Sequence, residues 1–322
     1  MEYRPLGRTG LTVSEIGYGA WGIGASQWVG AREDESVAAL HRAIELGVNL
    51  VDTARGYGES ERIVGRVLRD HPDVHVATKV PPKNGVWPAP AGLHPDETFP
   101  GSHIRQSLET SLAASGLEAF DVLQLHVWSD EWVGKGDWLE TVDDLRREGK
   151  IRFFGVSVND YQPQNVLALV RSGTVDTVQV IANVWHQEPQ EQLLPACAEH
   201  GVGVIVRVAL DEGGLTGRIT AASTFPEGDF RNTYFGGDRP AQVEEHVAAL
   251  VRDLGIDTDA LPDLALRYVL DQPAVSTVIA GMRTVRNVER NAATSDGRRL
   301  TPEQHEVVRR HRWERNFYQP AA

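Results

Sequence analysis

Residues Asn49–Gly65 read NLVDTARGYGESERIVG: an apolar run closing on Asp52, a short connection carrying Arg55 and Tyr57 beside Gly56 and Gly58, then an amphipathic stretch. Buried strand, polar connection and helix in that order make one parallel βα unit, whose strand is covered on both faces. The same grammar recurs along the chain. Strand-like runs fall at Glu15–Gly19, Asn49–Asp52, His75–Val80, Asp121–His126, Arg152–Val156, Thr177–Ile181, Gly203–Val208 and Ser276–Ala280. Helical stretches separate them: Glu33–Leu46, Glu59–Arg69, Gly101–Ala114, Trp138–Glu148, Pro163–Arg171, Glu191–His200, Gln242–Leu254 with Pro262–Asp271, and Val285–Thr294. Repeated βα units over about 250 residues predict an α/β fold, a single (β/α)8 TIM barrel occupying residues 1–322 as one domain.

Two flanking segments lie outside that repeat. YRPLGRTGLTVSE, ahead of the first strand, reads as a β-hairpin expected to cap the barrel floor, and TPEQHEVVRRHRWERNFYQPAA predicts a C-terminal helix and tail. Two connections, Pro81–Pro100 and Ala209–Pro240, are long and rich in Gly and Pro, the mark of functional loops. Gly17, Gly19 and Gly22 fit G-x-G-x-x-G after a strand, the dinucleotide fingerprint. That fingerprint needs a helix opening at its last glycine, and here no helical run begins before Glu33.

Composition narrows the partners. Asp and Glu number 45 against 32 Lys and Arg, a net charge of −13 with no basic block, which argues against nucleic acid. The apolar runs are far shorter than the ~20 residues that cross a bilayer, so no membrane partner is expected. One cysteine, Cys197, and a start without an apolar signal core point to a cytoplasmic protein.

In a barrel, chemistry is built at the C-terminal ends of strands. Asp52 ends the second strand, Tyr57 follows it, Lys79 sits near the end of the third, and His126 ends the fourth. Singly, each has a structural explanation: a turn cap, a snorkelling lysine, a satisfied core histidine. Together they form a proton-donating set. A phenol near pKa 10 keeps its proton at neutral pH, a neighbouring ammonium eases phenolate formation, a carboxylate keeps that ammonium charged, and an imidazole can orient a carbonyl oxygen. A metal-dependent barrel hydrolase would need clustered His and Asp ligands, whereas His126 alone among the histidines lies at a strand end, so no metal site is expected.

With the N-terminal hairpin and first strand, NLVDTARGYGESERIVGRVL, ATKV, LQLH, GKIRFFGVSV, GGLTGR and LALRYVLDQPAVSTVIAGMRTVRNVERN in this order, the chain resembles the aldo-keto reductase superfamily. The resemblance spans nearly the whole chain. It implies Asp52, Tyr57, Lys79 and His126 as a catalytic tetrad, NAD(P)H lying across the barrel mouth, and reduction of an aldehyde or ketone, or the reverse oxidation of an alcohol. It further implies cofactor contacts from Gly19, Ala20, Trp21 and Asp52, from Ser157, Asn159 and Gln179 around the carboxamide, and from Leu210, Glu212, Gly214, Leu215 and Gly217 over the pyrophosphate. Gly281, Met282, Arg283, Asn287 and Asn291 would reach the adenosine end. Arg207 stands where relatives place a nicotinamide-stacking aromatic, and Ala182 where a tyrosine often follows the glutamine. Gly281-Met282 stands where some relatives read Lys-Ser, which leaves Arg283 to meet a 2′-phosphate; NADP(H) is therefore favoured, with NAD(H) possible. Trp21, Trp28, Trp87 and Trp128 are candidates for an apolar substrate wall, and Trp313, Phe317 and Tyr318 for a closing tail or a contact with the barrel side. The resemblance leaves open a non-enzymatic alternative, a nucleotide-sensing regulatory subunit like potassium-channel beta subunits. Substrate, reaction direction and oligomeric state are not implied.

Overall fold

Two short strands, β1 (Tyr3–Pro5) and β2 (Thr12–Ser14), pair antiparallel, and eight further strands close into a parallel barrel. The computed structural model, which describes residues 1–316, runs β3 (Ile16–Gly19), α1 (Glu33–Glu45), β4 (Leu50–Asp52), α2 (Ser60–Leu68), β5 (His75–Val80), α3 (Pro95–Thr98) and α4 (Gly101–Ser115). It continues through β6 (Phe120–Leu125), α5 (Trp138–Arg147), β7 (Ile151–Ser157), α6 (Leu167–Ser172), β8 (Thr177–Ile181), α7 (Leu193–His200) and β9 (Gly203–Arg207). The last part holds α8 (Arg231–Tyr234), α9 (Arg239–Leu254), α10 (Leu261–Leu270), β10 (Val275–Gly281), α11 (Val285–Ala292) and α12 (Pro302–Arg310). Each barrel strand from β3 to β9 pairs with the next in sequence, and β10 closes the ring between β9 and β3. The expected (β/α)8 barrel with its hairpin and C-terminal helix is the observed fold.

The hairpin is a plug. Leu6, Leu11 and Val13 enter the barrel interior against Leu50, Ala77, Val122 and Ile205, and the Arg8 amide donates to the Gly201 carbonyl. Burial of these side chains at about 25 cal/mol per Å2 is what keeps so short a hairpin in place.

Strand limits match the sequence reading within a residue or two, the usual fraying. One helix differs in substance. A helix over Pro163–Arg171 is expected, yet α6 starts at Leu167, because the Asp130 carboxylate accepts from the Ala168 and Leu169 amides at 2.6 and 3.2 Å and so caps the helix there from another loop. Upstream, Gln162 is bonded to Asn159 and Asn165 instead of winding into a helix. Helix α9 conversely starts earlier than Gln242, at Arg239, since Pro240 in its first turn lacks an N–H that would be unsatisfied anyway. Thr301 and Gln304 form a reciprocal capping box at the start of α12.

Gly7 has φ 53°, and a Cβ on it would sit 2.2 Å from the Gly203 amide nitrogen and 2.5 Å from the Gly201 carbonyl oxygen. Gly7→Ala should therefore lower stability by roughly 1–3 kcal/mol through backbone strain and overpacking. An unchanged urea midpoint would show that the plug shifts freely to make room.

Candidate active site

Parallel register brings four polar residues from separate strands to one end of the barrel. Asp52 ends β4 and is 2% exposed; Lys79 lies on β5 opposite Gln124 of β6 and is 1% exposed. The Lys79 ammonium donates to Asp52 Oδ1 and, at 2.9 Å, to the Thr53 carbonyl. The other carboxylate oxygen accepts from Gln179 Nε2 at 2.8 Å and Gln124 Nε2 at 3.1 Å. Each charge removed from water thus keeps a partner and added hydrogen bonds, the condition for burying an ion pair. Burial still drives the Lys79 pKa down, and Asp52 opposes that shift.

Tyr57 projects from the loop after β4 over this pair. Among the described residues its hydroxyl has one hydrogen-bond partner, His126 Nε2 at 3.4 Å, and the Lys79 ammonium lies 4.8 Å from the ring centroid. Burial, with Asp52 adding to it, raises the Tyr57 pKa well above its usual value, so the phenol is protonated throughout the neutral range. Burial, reinforced by Lys79 and Arg207, pushes His126 far below the usual histidine range, so its ring is neutral. Two of the three Lys79 N–H groups are donated, to Asp52 and the Thr53 carbonyl, and Arg207 is a further cation that opposes the rise of the Tyr57 pKa.

These groups open into a cavity of about 710 Å3, within the range of small-molecule sites. Aromatic rings wall it beside the phenol: Trp21 lies 5.9 Å from the Tyr57 ring, and Trp87 meets His126 edge-on at 4.7 Å. Trp28 also lines it, beneath Arg231 at 4.5 Å and Arg283 at 5.5 Å. Trp128 instead is fully buried in the core, its indole N–H donated to Asp130. Trp313 docks on the barrel side, stacked 3.9 Å from His246 and outside the cavity lining; Phe317 and Tyr318 lie outside the described residues.

The sequence model of the Aldo/keto reductase family matches residues 15–312. The chain belongs to the aldo/keto reductase family. It is 30% identical over 295 residues to a Bacillus subtilis aldo-keto reductase, covering 88% of this chain and 85% of that one. It is 28% identical over 309 residues to the NADH-specific methylglyoxal reductase of Escherichia coli, covering 91% and 93% of the two chains. The structure of an aldo-keto reductase from Bacillus halodurans in its holo form superposes with a TM-score of 0.75 at 26% identity, covering 97% of this chain and 96% of that one. Aldo/keto reductases are oxidoreductases acting on carbonyls with nicotinamide cofactors.

Most residues that the family resemblance assigns to the cofactor face the cavity of this aldo/keto reductase. Gly19, Ala20, Trp21, Asp52, Ser157 and Gln179 line its inner part. Arg207, Leu210 and Glu212 follow from the β9 end, and Gly281, Arg283, Asn287 and Asn291 from β10 and α11. Five do not line it. Asn159 uses its amide on Ala89, Gln162 and the Trp128 amide and so braces the wall. Leu215 and Met282 are fully buried core side chains. Gly214 packs against Asp211 and Trp185, and Gly217 against Thr258. Arg207 is not free to lie as a bare stacking plane: it is ion-paired to Asp160 and bonded to the Val158 carbonyl.

Sequence reasoning missed Gln124, Asp160, Arg218, Arg231 and Arg290, of which all but Gln124 line the cavity while Gln124 supports Asp52. Gln124 had a signal, since a polar residue two positions before His126 in a buried strand shares its inward face. Arg290 also had a signal, lying three residues after Asn287 on the same face of α11, whereas Asp160 and Arg218 come from loops and Arg231 opens the one-turn α8, where no period marks the inward side. The lining fits a dinucleotide: polar groups sit beside Tyr57, the backbone is open at Gly213 and Gly281, where an added Cβ would touch nothing within 4 Å, and cations come from Arg218, Arg283 and Arg290.

Lys79→Met leaves the Asp52 carboxylate buried without its cation, a change expected to cost about 3–5 kcal/mol. Adding Asp52→Asn should restore much of that loss, as read from urea unfolding of the single and double variants. Additive losses would mean that the pair is not energetically coupled.

Proposed function

We propose that this chain is an NAD(P)H-dependent carbonyl reductase, also able to run in the alcohol-oxidising direction, in which Tyr57 supplies the proton to the carbonyl oxygen. The observation that carries the reading is the convergence of a protonated phenol, a neutral imidazole and a buried Asp52–Lys79 pair at one cavity wall. When bound, a reduced nicotinamide supplies the hydride. Ser157 and Gln179 are the residues proposed to hold its carboxamide. His126 orients the carbonyl oxygen beside Tyr57, because a neutral imidazole can donate one hydrogen bond. Tyr57 then gives up its proton in a pocket holding both the Lys79 and Arg207 cations, which favour the phenolate left behind. Trp21 and Trp87 shield that transfer from water.

NADP(H) is the proposed cofactor, with NAD(H) as the alternative. A 2′-phosphate adds nearly two negative charges, and on a chain of net charge −13 local cations must offset them. Arg283 is half committed, stacked over Trp28 and bonded to the Val29 carbonyl at 3.3 Å, whereas Arg218 is exposed at the cavity edge. Both are proposed to serve the phosphate; Arg286 faces solvent outside the lining. An NADH-specific relative at 28% identity makes the choice an experimental one. A cytoplasmic location is part of the same reading, resting on a lone buried cysteine and on the lack, among the described residues, of any helix long and apolar enough to cross a membrane.

Absorbance of reduced nicotinamide with a panel of aldehydes, ketones and alcohols tests the activity. Tyr57→Phe should lose more than nine-tenths of kcat and keep cofactor affinity, since the ring stays and only the donor goes; retention of most of kcat would remove Tyr57 from the role. For the cofactor, Arg283→Ala and Arg218→Ala should each weaken NADPH binding roughly tenfold, about 1.4 kcal/mol, while leaving NADH within about twofold. Equal weakening of both nucleotides would leave these arginines with adenine stacking alone.

A further inference from the structure

Between Val208 and Gly213, just after β9, the backbone passes four times through left-handed geometry, at Val208 (φ 58°), Asp211 (φ 49°), Glu212 (φ 52°) and Gly213 (φ 106°). Only the last is a glycine. Residues with a Cβ, β-branched valine above all, adopt this region reluctantly and persist there only where the surroundings impose it. The consequence is local: Val208, Glu212 and Gly213 line the cavity, while Asp211, between them, does not.

Asp211 is fastened from behind. Its carboxylate accepts from Tyr234 at 2.5 Å and from Arg239 Nη2 at 3.0 and 3.1 Å, with both ion-pair side chains about 95% buried. The fit is close enough that a Cβ on Gly214 would lie 2.5 Å from Asp211 Oδ2. Arg239 is the first residue of α9, and its guanidinium lies over three aromatic rings, Tyr234 at 4.9 Å, Trp313 at 5.1 Å and Phe235 at 6.0 Å. Trp313 in turn belongs to the segment after α12. It is held by its amide to the Trp185 carbonyl at 3.0 Å and by its ring on His246, and Arg315 bonds Gln242 of α9 beside it.

We propose that the Asp211–Arg239 pair is a positioning clamp, seated on Trp313 of the C-terminal segment, that imposes the left-handed course of residues 208–213 and so presents Glu212 and Gly213 to the cofactor. No residue of the clamp except Asp211's own loop touches the cavity, so Arg239 and Trp313 act through the backbone they hold. The part of the inference that concerns the cofactor rests on the reading under Proposed function; the part that concerns the loop does not.

The test uses the full chain in three forms: wild type, Arg239→Met, which keeps an unbranched apolar stem and loses the guanidinium, and Trp313→Leu, which leaves the ion pair in place and removes one seat. Hydrogen exchange of the free protein is compared with the Kd for NADPH, followed by tryptophan fluorescence. Arg239→Met is expected to lose protection selectively over residues 208–217 and to raise Kd about tenfold, with Trp313→Leu changing both in the same direction by a few-fold; kcat at saturating cofactor should fall less than Kd rises. Unchanged exchange over 208–217 in a folded variant overturns the clamp, as does a loss of protection spread evenly over the barrel. If Arg239→Met does not fold, Trp313→Leu decides by the same two measurements. Wild type that binds neither NADPH nor NADH would sink the cofactor reading, and the exchange data would still decide the clamp.

Discussion

A lysine ammonium and an aspartate carboxylate buried together at the mouth of the barrel set the terms for everything around them. Neither charge could be taken from water alone, and their mutual attraction repays desolvation only if the remaining hydrogen-bonding capacity is met. It is met by the amides of Gln124 and Gln179 and by the Thr53 carbonyl. Those partners come from β6, β8 and the end of β4, so the ion pair is satisfied only when the parallel register of half the barrel is in place. Fold and site are held by the same contacts.

The dryness that makes the pair demanding also shapes the chemistry proposed for the site. Removing water raises the Tyr57 pKa, lowers that of His126, and leaves a proton-bearing phenol against a neutral ring. In that low-dielectric pocket Lys79 and Arg207 act on a nascent phenolate more strongly than they would in water. Arg207 itself is held by Asp160, so a second ion pair at the end of β9 complements the one at the end of β4.

Two loops roof the cavity. Asp229 accepts from the Val29 amide and pairs with Arg231, the Phe230 amide donates to the Gln27 carbonyl, and Trp21 packs edge-on against Phe230 at 4.9 Å. The segment after β3 and the long connection after β9 therefore hold each other. Strain at Val208, Asp211 and Glu212 and the buried Arg239 behind them belong to that same connection, which is where irregular backbone and functional lining coincide.

The sequence by itself determined the barrel and the inward chemistry of its strands. Buried apolar runs bounded by turn residues located the strands, and the position of Asp52, Lys79 and His126 at or just beyond strand ends placed them at one end of the barrel, because parallel strands all point the same way. Gln124 was legible by the same rule and was overlooked. Only the tertiary structure decided which loop residues face the cavity: Asp160 and Arg218 toward it, Met282 and Leu215 into the core, Asn159 into the wall. It alone moved the start of α6 to Leu167, since the cap comes from Asp130, more than thirty residues away in sequence. Loops carry no periodicity, so their inside and outside are fixed by partners distant along the chain, and such partners exist only once the barrel has closed.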